Sequence, residues 1–190
     1  MQRLAAIPAL CFILGCSSGQ EAEQPIPQPV PAESAQTVET PYGDLGQVQG
    51  YLNSINPFIQ EVGKIHLEVN KAVGTSGQAT TANLALAMGK GLPRLKAAIG
   101  QFGEIAPPLL LNPLHTDIKR LMVLRLNAYE ATINNWNIEK QGGHLDSALV
   151  VKAENTLREA NELIRKLNEQ MSQVNLAMEK ASSPPQTASP

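Results

Sequence analysis

Leu45, Val48, Leu52, Ile55, Ile59, Val62, His66, Val69 and Val73 recur at alternating steps of three and four residues. A chain written this way is committed to a long helix with one apolar face. The spacing returns three more times. A second seam runs through Ala85, Met88, Leu92, Leu95, Ile99, Phe102 and Ala106, with Thr80 or Thr81 as its cap. A third starts at Asn112-Pro113, a cap followed by proline at the first helical position, and continues through Leu114, Ile118, Met122, Leu126, Tyr129, Ile133 and Trp136. The fourth passes through Val150, Ala153, Leu157, Ala160, Ile164, Leu167, Met171, Val174 and Met178. Asp44 with Gln47 three residues on reads as a capping box at the head of the first segment.

Four apolar faces joined by short connections must cover one another. The pattern predicts an all-α fold, an antiparallel up-down four-helix bundle over residues 41–181. Helices of this length span ~40–50 Å at 1.5 Å per residue. Seams this regular also suit coiled coils, so a helical hairpin that pairs into a homo-oligomer is the alternative. Aromatic residues make up only 4% of the chain, with Trp136 the single tryptophan, which disfavours a β-sandwich.

The bundle has unlike flanks. Residues 16–40 are rich in Pro, Gln, Glu and Ser, with apolar residues too sparse for a core, and predict a disordered tether with a coil span of ~27 Å. Residues 182–190 predict a disordered tail. Before the tether, Arg3 is followed by an apolar run from Leu4 to Leu14, too short to cross a bilayer that needs ~20 helical residues. A short basic start before a short apolar stretch is the pattern of a secretory signal peptide, here residues 1–15. The run ends Ile13-Leu14-Gly15-Cys16, which resembles the lipobox of bacterial lipoproteins. That resemblance implies diacylglycerol on the Cys16 thiol, cleavage before Cys16 and usually acylation of the new amine. It also implies a bacterial cell-envelope location, membrane-attached through the lipid. Ser17 in place of aspartate is similar to lipoproteins sent to the outer membrane in enteric bacteria, facing the periplasm. Cleavage would discard Cys11 and leave no free thiol for a disulfide or a nucleophile.

Little else in the chain carries chemistry. The net charge is −2 with no basic block, which argues against nucleic acid as a partner. Helical metal sites favour Glu-x-x-His pairs, and none of His66, His115 and His144 has a glutamate three residues before it. Neither a phosphate loop nor a nucleophile elbow is present, so no metal, cofactor or enzymatic activity is expected. Arg125 is the charge nearest an apolar stripe, and antiparallel pairing of the third and fourth segments predicts an ion pair with Glu159 or Glu162. Glu154–Arg158, Arg158–Glu162 and Glu162–Lys166 are spaced for pairing along the fourth helix.

The predicted topology gives the bundle a pole near the tether and a far one. Leu109, Leu110 and Leu111 fall at the near pole, where they would close the core or dip into lipid. At the far pole, Ser76 and Gln78 in one loop, Gln141 and His144 in the other, and Trp136 beside them form a candidate surface for another envelope protein. Pro57 and Gly63 face Gly91 and Pro93 in the first hairpin. Breakers at one height serve either close packing and bending or a pocket for a small apolar ligand. The sequence thus predicts a non-enzymatic adaptor on a lipid tether. A carrier or sensor of small apolar ligands, or a structural envelope spacer, are its alternatives.

Overall fold

A computed structural model describes residues 37–73 and 80–183. The fold is all-α apart from one small hairpin: β1 (Glu39–Thr40), β2 (Gly43–Asp44), α1 (Leu45–Val73), α2 (Thr81–Phe102), a 3-10 turn at Leu109–Leu111, α3 (Asn112–Lys140) and α4 (Ser147–Ser182). Cys16 lies outside the described residues, as do Ser76, Gln78 and most of the anticipated tether and tail.

The hairpin is a departure from expectation, because Glu39 and Thr40 were assigned to the tether. Thr40 pairs with Gly43, and its hydroxyl donates to the Gly43 carbonyl at 2.8 Å while accepting from Tyr42 N at 3.0 Å. Gly43 adopts φ +111°, which a side chain would resist. Two-residue strands leave no periodicity to read, so only the Pro-Tyr-Gly turn marked the spot. The hairpin contacts both α1 and α4, and Leu45 N bonds back to the Val38 carbonyl at 2.8 Å.

Helix starts are set by side chains where the sequence supplies them. Asp44 Oδ1 accepts from Gln47 N at 2.9 Å, Thr80 caps α2 through Asn83 N, and Asp146 caps α4 through Ala148 N at 2.8 Å. Asn112 departs from its expected capping role. The three leucines wind into a 3-10 turn that runs straight into α3, so Asn112 is already helical and Leu111 occupies the cap position. Pro57 and Pro93 sit inside continuous helices and are exposed. The carbonyls they leave unpaired belong to Asn53 and Gly89, both exposed and so open to solvent.

One apolar core joins all four helices. Its fully buried members include Val48, Ile55 and Ile65 of α1, Leu95 and Phe102 of α2, Met122 and Tyr129 of α3, and Val174 of α4. Side chains of this size each contribute ~1.5–3 kcal/mol on burial. Extensive contacts join α1 to α2, α2 to α3 and α3 to α4. With neighbours on two sides, α3 buries more of its circumference than a single seam. His115, Asp117, Arg125 and Asn135, all on α3, are buried together with its apolar residues.

Ion pairs connect the helices sparingly. Arg94 of α2 reaches Glu61 and Glu68 of α1 at 2.6 and 2.7 Å, Lys96 meets Glu130 of α3 at 2.8 Å, and Arg120 of α3 pairs with Glu159 of α4. The three pairs anticipated along α4 are absent from the ion pairs of the described residues. Arg158 turns to Asn155 and Lys166 crosses to Asp117 at 2.7 Å. Exposed pairs worth a few tenths of a kcal/mol yield readily to such alternatives.

Candidate interaction surfaces and a buried polar helix

The connection between α3 and α4 is built to hold one shape. After Lys140, Gly142 takes φ +82°, Gly142 N bonds to the Glu139 carbonyl and Gly143 N to the Ile138 carbonyl, both at 3.0 Å. This is the paired closure of a Schellman motif, and glycine supplies the left-handed residue it requires. Gly143 is constrained differently, since a Cβ there would come within 2.8 Å of the Ile138 side chain. Asn135, buried in α3, then accepts from Asp146 N at 2.8 Å and ties the far side of the connection to the helix.

This fixed connection carries exposed Gln141 and His144, while Trp136 is half-buried beneath it. It also carries apolar side chains that the seam pattern did not single out. Leu145 is 46% exposed and Val151 52%, with Ile138 and Val150 also exposed. Val150 was expected in the core. Val150 and Val151 precede Ala153, the first buried residue of α4.

At the 106–111 connection only Leu111 closes the core; Leu109 is 85% exposed and Leu110 is exposed beside it. Beneath them three rings meet. Phe102 stacks on His115 at 4.3 Å between centroids, and the Tyr51 hydroxyl lies 3.3 Å from His115 Nδ1. Burial lowers the His115 pKa, with a smaller push from Lys119, so the ring packs as a neutral aromatic.

The broken first hairpin is packed at Gly91. A Cβ at that position would come within 2.6 Å of Ile65 Cγ2, so the missing side chain is what lets α1 approach. Gly63 is half-buried with open space above it, and Pro57 and Pro93 face solvent. Two shallow surface depressions lie elsewhere. One is bordered by Lys71, Asn83, Leu86 and Lys90, the other by Gly50, Tyr51, Pro107 and Pro108.

Arg125 overturns its expected ion pair. Glu159 is taken by Arg120, Glu162 is exposed, and no carboxylate of the described residues pairs with Arg125. Arg125 lies on the inward side of α3 with Met122 and Tyr129 and is only 6% exposed, away from the solvent edge where those glutamates stand. Tyr129, one turn on, is buried, which raises its phenol pKa, and the nearby Arg125 partly offsets the rise. His66 of α1 stands close enough to feel the same charge. Desolvation first, and Arg125 second, lower its pKa to about 4. No group of three or more metal-ligating side chains occurs among the described residues.

Neither the family models, nor the curated proteins, nor the solved structures contain a match to this chain.

Proposed function

We propose that the chain is a lipid-anchored cell-envelope protein whose helical domain is a non-enzymatic adaptor, docking another envelope protein through the α3–α4 connection. The observation that carries the reading is a rigid loop with apolar side chains uncovered. Leu145 and Val151 stand in solvent on a segment held by Asn135 and a Schellman closure, so a partner meets a surface whose ordering cost is already met. The anchor rests on the Ile13–Cys16 lipobox and the short apolar run before it. We read the four helices as alternating in direction. Support comes from the pairs Glu61–Arg94 and Asp117–Lys166 and from the stacking of Phe102 on His115, each joining positions at comparable distances from the connection between their helices. Cysteine pairs at 61 and 94 and at 117 and 166 should be bridged by a short bifunctional maleimide in that arrangement.

Photo-crosslinking in the host cell tests the adaptor, with probes at Leu145 and, as a control, at the exposed Glu154. The expected result is a discrete adduct with another envelope protein from Leu145 alone, lost when Val151 is changed to Asp. Equal labelling from both positions, or an adduct only with a second copy of this chain, would sink the reading. For the anchor, Cys16→Ala should abolish lipid labelling and release the protein from the membrane fraction.

A further inference from the structure

We infer that Arg125 anchors a binding site for one small inorganic anion, a halide or an oxyanion of phosphate type, inside the helical domain. Three observations converge on it. Arg125 is 94% buried by its 6% exposure, yet no carboxylate among the described residues pairs with it. Among the described residues its Nε has no hydrogen-bond partner, and the buried Tyr129 hydroxyl one turn further along the same face has none besides the Arg125 side chain itself. The Tyr129 oxygen accepts from the guanidinium, which leaves its O–H and Arg125 Nε as donors without a partner and the charge without a carboxylate among the described residues. His66 of α1 stands near enough to Arg125 to feel its charge. Asn70 Nδ2 donates to His66 Nε2 at 3.0 Å, so the neutral His66 ring carries its proton on Nδ1.

The chemistry of the ligand follows from the donors. A buried polar group without a hydrogen bond is costly, and a buried charge without a counter-charge is more so. Water would satisfy the hydrogen bonds and leave the charge; an anion satisfies both. With Arg125 only 6% exposed, the ligand is limited to a single small ion. A guanidinium forks naturally onto an oxyanion, while a halide asks less of the geometry. The site is independent of the lipid on Cys16 and of the α3–α4 surface.

The test is denaturation of the full chain at constant ionic strength, with sodium gluconate replaced stepwise by sodium chloride or by sodium phosphate. The folding constant of the wild-type protein should rise as 1 + [L]/Kd, about elevenfold when the anion stands at ten times its Kd. Arg125→Met should remove that dependence and Tyr129→Phe should weaken it. A response confined to chloride identifies a halide site, and one confined to phosphate an oxyanion site. No difference from gluconate in the wild type, or an undiminished response in Arg125→Met, overturns the site. Should Arg125→Met fail to fold, chloride and phosphate NMR line broadening by the wild type is compared with Tyr129→Phe. Equal or absent broadening in the two proteins overturns it as well.

Discussion

Two glycines in α2, one half-turn apart, should respond to the same substitution in opposite directions. At Gly91 an added methyl would press on Ile65 Cγ2, a branch held stiff by its own helix. Gly91→Ala should lower stability by about 1–3 kcal/mol despite the gain in helix propensity. At Gly89 nothing stands within 4 Å, and Gly89→Ala should raise stability by about 0.5–1 kcal/mol. Urea midpoints of the two variants check both signs. His66 offers a test in pH. Its folded pKa of about 4 lies below the ordinary histidine value, so the unfolded chain takes up the proton first as pH falls. Its contribution is complete above about pH 6.5 and declines toward pH 4, with a slope of up to ~1.4 kcal/mol per pH unit. Buried His115 shifts in the same direction, whereas the lowered Glu61 carboxyl acts further into acid. His66→Asn should flatten the stability curve between pH 6.5 and 4 relative to wild type. The periodicity placed His66 on the apolar seam, and in the structure it is half-buried. It missed Tyr51 and Ile65, because a straight helix drifts from a strict heptad over 29 residues and carries Ile59 out toward solvent.

Among the elements, α3 was the least legible. A two-faced helix buries side chains that a one-seam reading assigns to solvent, and Asn135 is the clearest case. Its polar side chain gave no hint of burial, since its purpose is to accept a backbone N–H from a loop eleven residues on. Asn135→Ala should cost about 1–2 kcal/mol and speed hydrogen exchange across residues 145–150 ahead of the rest of α4. The leucine run before α3 divides just as sharply. Leu111→Ala should cost about 2–5 kcal/mol, while Leu109→Ser should stay within about 0.5 kcal/mol of wild type, as thermal melts can distinguish. Three identical neighbours carry no periodicity, and only the 3-10 turn decides which one faces inward.

For the molecule as a whole, helix count, approximate helix bounds and most of the core were readable from spacing alone. Contacts that depend on rotation about a helix axis were not, and Arg125 shows why. Glu159 stood at the right height along α4, but a guanidinium on the inward side of α3 cannot reach the solvent edge where that carboxylate meets Arg120. The same central position gives α3 a kinetic signature. With α2 and α4 both packed on it, its middle amides should exchange only through global unfolding and should be the slowest of the four helices in hydrogen-exchange mass spectrometry.

The small hairpin at residues 39–44 has a mechanical meaning as well. Any pull along the segment that precedes it enters the folded domain through Val38, whose carbonyl holds Leu45 N, and then through a two-residue ladder that touches α1 and the last helix alike. Load applied at one end of the chain is therefore divided between the first helix and the fourth before either unwinds. The hairpin works as a strain relief, of the kind a cable has where it enters its housing.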